Sequence, residues 1–378
     1  MIYKDFQDIK LSQFGMGCMR LPVINGDDSR IDVEQAEAMV DYAMKNGVNY
    51  YDTAYDYHSG NSERVLGKAL SKYDRKSFYI ADKYPGYNPG NLTSHEKIKS
   101  VFEEQLERLG VDYFDFYLFH NVYEKNVGPY LDEDLGVLKY LQEQKKAGKI
   151  RHLGFSCHGR IDVLERFLKA YGDEMEFCQL QINYFDWEFQ GAKEKVELVR
   201  SYGIPIWVME PVRGGRLTKF TDEELKMFKD ARPDETGTAW AFRFLQSIPG
   251  VTVVLSGSSS LEQMKDNIKT FEKEEPLNTN EMEIVKKVAD SMGSSVMVPC
   301  TACHYCTSHC PQELDIPLLL SLYNEHKFTG GGFIAPMAIG AMPANKQPSA
   351  CIACKSCEEV CPQQIKISEI LADYANIM

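Results

Sequence analysis

The sequence predicts an α/β fold, a closed (β/α)8 TIM barrel, followed by a small, mostly helical C-terminal module. Three observations carry that expectation. Short apolar runs alternate with amphipathic segments from about residue 11 to 272. The runs are apolar on both faces, as parallel strands covered on both sides require. Eleven cysteines are present, and eight of them fall from residue 300 onward in two matching runs. A strand and helix repeated eight times favours closure over an open sheet, which rarely keeps strict alternation so long.

In chain order, "IKLSQFGMGCM" (9–19) supplies the first strand and "VNYYDTA" (48–54) the second. "SFYIADKY" (77–84), "FDFYLFH" (114–120), "RHLGFSC" (151–157), "FCQLQINYF" (177–185), "IPIWVMEP" (204–211) and "VTVVLSG" (251–257) continue the series. Between the first two, "DVEQAEAMVDYAMKNG" (32–47) places Val33, Ala36, Met39, Val40 and Ala43 on one helical face and stops at Gly47. "SHEKIKSVFEEQLERLG" (94–110) has Ser94 as N-cap and Ile98, Val101, Phe102, Leu106 and Leu109 as its stripe. Further helices fit "GVLKYLQEQKKAGK", "DVLERFLKAYG", "AKEKVELVRSYG", "TAWAFRFLQS" and "SLEQMKDNIKTF". The expected domains are a barrel over 1–272, a connector with one helix over 273–299, and a cysteine module over 300–378. The middle of that module, 324–350, holds three consecutive glycines and three prolines and reads as a loop or partly helical.

Charged residues make up 26% of the chain and hydrophobic residues 44%, as in an ordinary globular protein. A net charge of −13 argues against nucleic acid as a partner, since binding there neutralises phosphates with Lys and Arg. The N-terminus lacks a signal-peptide core, and no run approaches the ~18 apolar residues of a membrane span. The expectation is a cytoplasmic protein with neither membrane nor nucleic-acid partner. In that reducing setting cysteines serve as metal ligands or reactive thiols more often than as disulfides.

Side chains at the C-terminal ends of barrel strands face the active site. Asp52, Lys83 and His120 fall at such ends, and Tyr57 follows Asp52 by five residues. Carbonyl reduction uses such a set, because hydride addition leaves alkoxide charge that must be protonated or held by donors. Tyr57 would donate the proton. A phenol of pKa ~10 needs a cation nearby, and Lys83 would be that cation, kept charged by Asp52. His120 would orient the carbonyl through a ring N–H.

"YYDTAYDYHSGNSERVLGKAL" (50–70), with Lys83 and His120 following in order, resembles the aldo-keto reductase family over about 260 residues. The resemblance implies a nicotinamide dinucleotide, NAD(P)H, lying across the barrel mouth without a Gly-rich Rossmann fingerprint. It implies that Ser156 and Gln181 hydrogen-bond the carboxamide, and that Met19 and Asp52 line the cofactor site. "VMEPVRGG" (208–215), with Met209, Pro211 and Arg213, would wrap the pyrophosphate. "GSSSLEQMKDNI" (257–268) would take the adenosine end through Gly257, Ser259, Gln263, Asp266 and Asn267, its Ser-rich turn offering N–H groups to a phosphate. Two residues depart from the family pattern: Met209 stands where an aromatic ring usually stacks, and Cys157 where Asn often follows the serine. Lys265 is the basic residue within 256–267, which favours NADH, although Arg213, Arg216 and Lys219 offer a phosphate another approach.

Cys300, Cys303, Cys306 and Cys310, with Pro311 next, repeat the spacing of Cys351, Cys354, Cys357 and Cys361, with Pro362 next. This is the bacterial ferredoxin run for two [4Fe–4S] clusters, in which the fourth cysteine ligates the other cluster. Cys361 therefore joins Cys300, Cys303 and Cys306, and Cys310 joins Cys351, Cys354 and Cys357. Zinc, the alternative, prefers two separated C-x2-C pairs. His304 and His309 read as exposed or hydrogen-bonded to cluster sulfur, Cys178 as core, and Cys18 and Cys157 as packed thiols near the cofactor.

Nicotinamide moves two electrons together and a cluster one, so a flavin is the usual splitter. The leading reading is an oxidoreductase reducing a small aldehyde or ketone, its clusters exchanging electrons with the barrel or with a ferredoxin-like partner. A flavin-containing electron-transfer enzyme and a non-enzymatic redox-sensing module are the alternatives.

Overall fold

The computed structural model describes residues 1–294, 297–300 and 302–378. Residues 295 and 296 of the expected connector, and 301 of the cysteine module, lie outside the described residues. The chain divides into two compact units, Met1–Lys286 and Lys287–Met378.

Unit one is a closed barrel of parallel strands. β1 (Tyr3–Phe6) and β2 (Ile9–Ser12) form an antiparallel hairpin apart from it. The barrel strands are β3 (Phe14–Gly17), β4 (Tyr50–Asp52), β5 (Tyr79–Tyr84), β6 (Phe114–Val122), β7 (Ile150–Cys157), β8 (Phe177–Gln181), β9 (Ile206–Met209) and β10 (Val251–Gly257). They pair in chain order, and β10 closes on β3 with Val254 opposite Phe14 and Gly257 opposite Gly17.

The single first strand expected over 9–19 is thus corrected: it breaks at Gln13 into a hairpin strand and a barrel strand. The physical reason lies beneath the barrel, where the hairpin supplies a plug. Phe6 meets Trp207 edge-on with ring centroids 5.1 Å apart, and Phe116 at 5.6 Å. Together with Leu11, Tyr50, Phe177 and Val253 they fill that end with buried side chains. This leaves the C-terminal ends of the strands as the functional mouth.

Helices cover the outside. Val33–Lys45 begins at Asp32, whose carboxylate accepts the Gln35 N–H, and His95–Leu109 begins at Ser94, which accepts from Lys97. Ser62–Leu70 packs against His95–Leu109 so closely that a Cβ on Gly67 would lie 2.1 Å from the Leu109 carbonyl oxygen. A helix not expected from the sequence, Asp222–Ala231, starts with a full capping box between Thr221 and Glu224.

Unit two is built on Ile316–Thr329, Ile334–Ala341 and Ile367–Ile377. Leu314, Ile316, Leu319, Leu320, Ile339, Ile367, Leu371 and Tyr374 form its core, with Cys306 and Cys357 buried among them. The segment 324–350 is therefore largely helical on either side of its glycines: Gly330 takes a left-handed C-cap at φ 62° and ends the first helix.

Candidate active site and cysteine quartets

Asp52 ends β4 and Lys83 sits within β5, on strands paired to each other. Lys83 Nζ donates to Asp52 Oδ1 at 2.5 Å and to the Thr53 carbonyl at 2.7 Å, with its side chain 1% exposed. Burial works to lower the lysine pKa, but the Asp52 carboxylate overrides it and lifts the group to about 12. Burial raises the Asp52 carboxyl and Lys83 pulls it back. With two charge-assisted contacts on the ammonium, we take the pair as ionised.

Tyr57 lies partly buried, its ring centroid 5.0 Å from Lys83 Nζ. Its phenol is raised by burial, lowered by Lys83 and raised again by Asp52, with a net upward shift. The ammonium thus offsets the burial of the phenol without making it acidic overall, contrary to the simple expectation. His120, two residues before the end of β6, meets Tyr57 edge-on with centroids 6.0 Å apart. Burial first, then Lys83, drives its pKa well below the ordinary value, so the imidazole is neutral. Its Nδ1 is buried without a hydrogen-bond partner among the described residues. Tyr87, unforeseen from sequence, stacks edge-on against His120 at 4.9 Å and donates its hydroxyl to Asp56.

On the far side of the mouth, Ser156 Oγ is buried and accepts the Asn121 N–H at 2.7 Å, keeping its own proton to give. Gln181 Nε2 is held by Asp186 at 2.8 Å while Gln181 Oε1 is buried with no partner among the described residues. One hydroxyl donor and one orphaned amide acceptor match the carbonyl and amino ends of a carboxamide, so these residues fit the nicotinamide expected there.

Arg213 is committed differently from expectation. Its Nε donates to both oxygens of Asp186 at 2.9 and 3.0 Å, and its guanidinium lies over Phe185 and Phe189. Met209 ends β9 partly buried, Pro211 is buried, and Met19 is 42% exposed beside Arg20. Arg20, not foreseen from sequence, ties the segment after β3 to the loops after β9 and β10: it pairs with Glu210 at 3.2 Å, its carbonyl accepts from Ser259 Oγ at 3.0 Å, and its side chain crowds Gly257.

Gln263 Oε1 accepts the Ser259 N–H at 2.8 Å, the donor expected for a phosphate. Asn267 is buried and donates to Ser258 and Ser256, and Asp266 accepts from Thr236. These two shape the loop, and no one-letter pattern marks such pairings because each partner is distant in sequence.

In unit two, Cys300, Cys303, Cys306 and Cys361 line one small cavity with Pro317, Leu320, Ile365 and Ile367. Cys310, Cys351, Cys354 and Cys357 line a second with Ile316 and Leu371. Each quartet takes its fourth cysteine from the other run, and the remaining walls are mainly apolar. Four thiols around one cavity form the donor set of a cubane. Among the described residues, no group of three or more His, Cys, Asp or Glu is placed to hold a single metal ion. Leu314 N–H points at Cys310 Sγ from 3.5 Å.

Residues 13–240 match the Aldo/keto reductase family, and residues 299–366 match a 4Fe-4S dicluster domain. The chain is 31% identical over 229 residues to the NADH-specific methylglyoxal reductase of Escherichia coli, covering 56% of this chain and 67% of that protein. It is 27% identical over 289 residues to the uncharacterized oxidoreductase YqkF of Bacillus subtilis, 69% of this chain and 87% of the other. The aldo-keto reductase AKR11C1 of Bacillus halodurans, in its apo form, superposes with a TM-score of 0.59 at 26% identity, covering 76% of this chain and 96% of that one. With its closed barrel and its cysteine-lined second unit, the chain belongs to the aldo/keto reductase family of oxidoreductases and carries a 4Fe-4S dicluster domain toward its C-terminus.

Proposed function

We propose that the barrel reduces a small aldehyde or ketone with NAD(P)H, and that the two cysteine quartets each hold a [4Fe–4S] cluster. One observation carries the reading: the Tyr57 ring lies 5.0 Å from an ammonium that Asp52 holds at 2.5 Å, with the His120 ring edge-on to it at 6.0 Å. The nicotinamide, when bound, supplies hydride to the carbonyl carbon. Tyr57 gives its hydroxyl proton to the developing alkoxide. Lys83 stabilises the phenolate left behind, and Asp52 keeps Lys83 charged at low dielectric. His120, neutral, donates a ring N–H to the carbonyl oxygen and fixes its direction. Ser156 and Gln181 would hold the carboxamide of a bound nicotinamide, through the serine hydroxyl and the free amide oxygen.

The functional division we adopt is 1–272 for reduction, 273–299 as connector and 300–378 for electron transfer. The similar E. coli protein is named as NADH-specific, and few basic side chains stand at 256–267, so NADH is the favoured donor. Cysteines kept as thiolate ligands suit a reducing cytoplasm. Among the described residues no helix is long and apolar enough to cross a membrane. A ferredoxin-like protein is the natural one-electron partner of the clusters.

The test is anaerobic purification, cofactor extraction and turnover of NADH and NADPH with small aldehydes. Tyr57→Phe should lower kcat by roughly 10²–10⁴-fold while NAD(P)H binding, followed by fluorescence, stays within about twofold. Extraction of a stoichiometric flavin, or full activity in Tyr57→Phe, would overturn the reading.

A further inference from the structure

The loop that carries Tyr57 has an unusual backbone. His58, Ser59 and Gly60 follow one another at φ 54°, 56° and 85°, all in the left-handed region. Two of the three carry a Cβ that this region disfavours. Something outside the loop must hold it there.

The His58 side chain is placed to do so. Its residue is 2% exposed, and both ring nitrogens are engaged with the segment after β3. Nε2 lies 3.1 Å from the Leu21 N–H, and Nδ1 lies 2.9 Å from the Asp28 carbonyl and 3.2 Å from its carboxylate. A backbone N–H only donates and a carbonyl only accepts, so the ring is the neutral tautomer with its proton on Nδ1.

Two neighbours reinforce the same attachment. Asn61 Nδ2 donates to the Ser29 carbonyl at 3.0 Å, and Ser62 Oγ to the Cys18 carbonyl at 3.1 Å. The segment they grip includes Met19 and Arg20, and Arg20 reaches on to Glu210 and Ser259. A continuous set of contacts therefore runs from the loops after β9 and β10, through Arg20 and Leu21, to the residue next to Tyr57.

We propose that His58 is a positioning residue: its imidazole clamps the Tyr57 loop to residues 21–28 and so couples the placement of the phenol to the cofactor side of the mouth. The proposal rests on Tyr57 being the proton donor, and its test keeps the two claims apart. The cluster-loaded protein, prepared anaerobically, is compared as wild type, His58→Gly, His58→Gln and Tyr57→Phe. Glycine relieves the left-handed backbone but removes the clamp. Glutamine restores an acceptor at the reach of Nε2.

Two readouts are taken. The first is the ring-carbon NMR signal of Tyr57 in protein labelled at tyrosine, assigned by its loss in Tyr57→Phe. The second is kcat and KM for carbonyl reduction. His58→Gly should shift or broaden the Tyr57 signal and lower kcat on the order of 10²-fold, with carbonyl KM changed much less. His58→Gln should recover most of both. A Tyr57 signal unchanged in His58→Gly overturns the proposal. Equal losses in the glycine and glutamine variants, tracking the folded fraction, also overturn it, since they mark a purely structural residue. If the wild type turns over no carbonyl, yet His58→Gly shifts the Tyr57 signal, the reductase reading falls and the clamp stands.

Discussion

Asp52→Asn takes the carboxylate from an ammonium that has almost no access to water. The two side chains are 4% and 1% exposed, and their charged atoms lie 2.5 Å apart. Unit charges about 3 Å apart at an effective dielectric of about 20 attract by roughly 5 kcal/mol. Asparagine keeps a hydrogen bond but not the charge, which brings the loss to about 3–4 kcal/mol, within the range for breaking one side of a buried pair. At ~1.4 kcal/mol per pKa unit, this moves Lys83 down by about 2–3 units. It starts from about 12.

The sign follows from linkage. In the wild type the folded pKa exceeds the unfolded value of ~10.4, so the contribution to stability is full below ~10.4 and is lost as pH rises through about 12. In the variant the folded pKa drops below ~10.4, so a penalty is present at low pH and fades as pH rises past the unfolded value. The gap between the two proteins should be about 3 kcal/mol near neutrality and about half that near pH ~11. Urea unfolding followed by tryptophan fluorescence reads the barrel unit, because Trp187, Trp207 and Trp240 all lie in it. Adding Lys83→Met to Asp52→Asn removes the stranded charge and should restore more than ~1 kcal/mol. A gap under about 0.5 kcal/mol, or a double variant less stable than Asp52→Asn, would refute the ion-pair account.

Two further outcomes are expected. Cys361→Ala combined with Cys306→Ala strikes one cavity twice and should leave about half the wild-type iron, whereas Cys361→Ala with Cys357→Ala strikes both and should leave little. Iron and sulfide analysis of anaerobic protein separates the two, and equal losses would refute the exchange of fourth cysteines. Gly67→Ala would set a methyl 2.1 Å from the Leu109 carbonyl oxygen, backbone that cannot swing aside. The helix-propensity gain of ~1 kcal/mol should be outweighed by overpacking, for a net loss of about 2 kcal/mol and a lower Tm by calorimetry.

The barrel was legible because each strand must be apolar on both sides, a demand that local sequence records directly. The candidate site was legible for a related reason: an apolar strand that carries Asp52, Lys83 or His120 toward its C-terminal end breaks its own pattern, and the break marks the mouth. The cysteine runs were legible from spacing alone. Helix Asp222–Ala231 was missed although Thr221 and Glu224 spelled its capping box. The strand over 9–19 was read as continuous because Ser12 and Gln13 are buried polar residues that look no different from strand positions.

Local pattern thus determined which segments become strands and helices, which acid and base stand near strand ends with a phenol just beyond, and which thiols group together. Only the folded chain decided the balance of burial against charge on Tyr57, the use of Arg213 on Asp186, and the left-handed turn at His58 with its anchor on Leu21 and Asp28. The reason is one of range. Periodicity and spacing act over a few residues, whereas desolvation and hydrogen-bond partnership depend on groups that are tens of residues apart in the chain and meet only when the barrel closes.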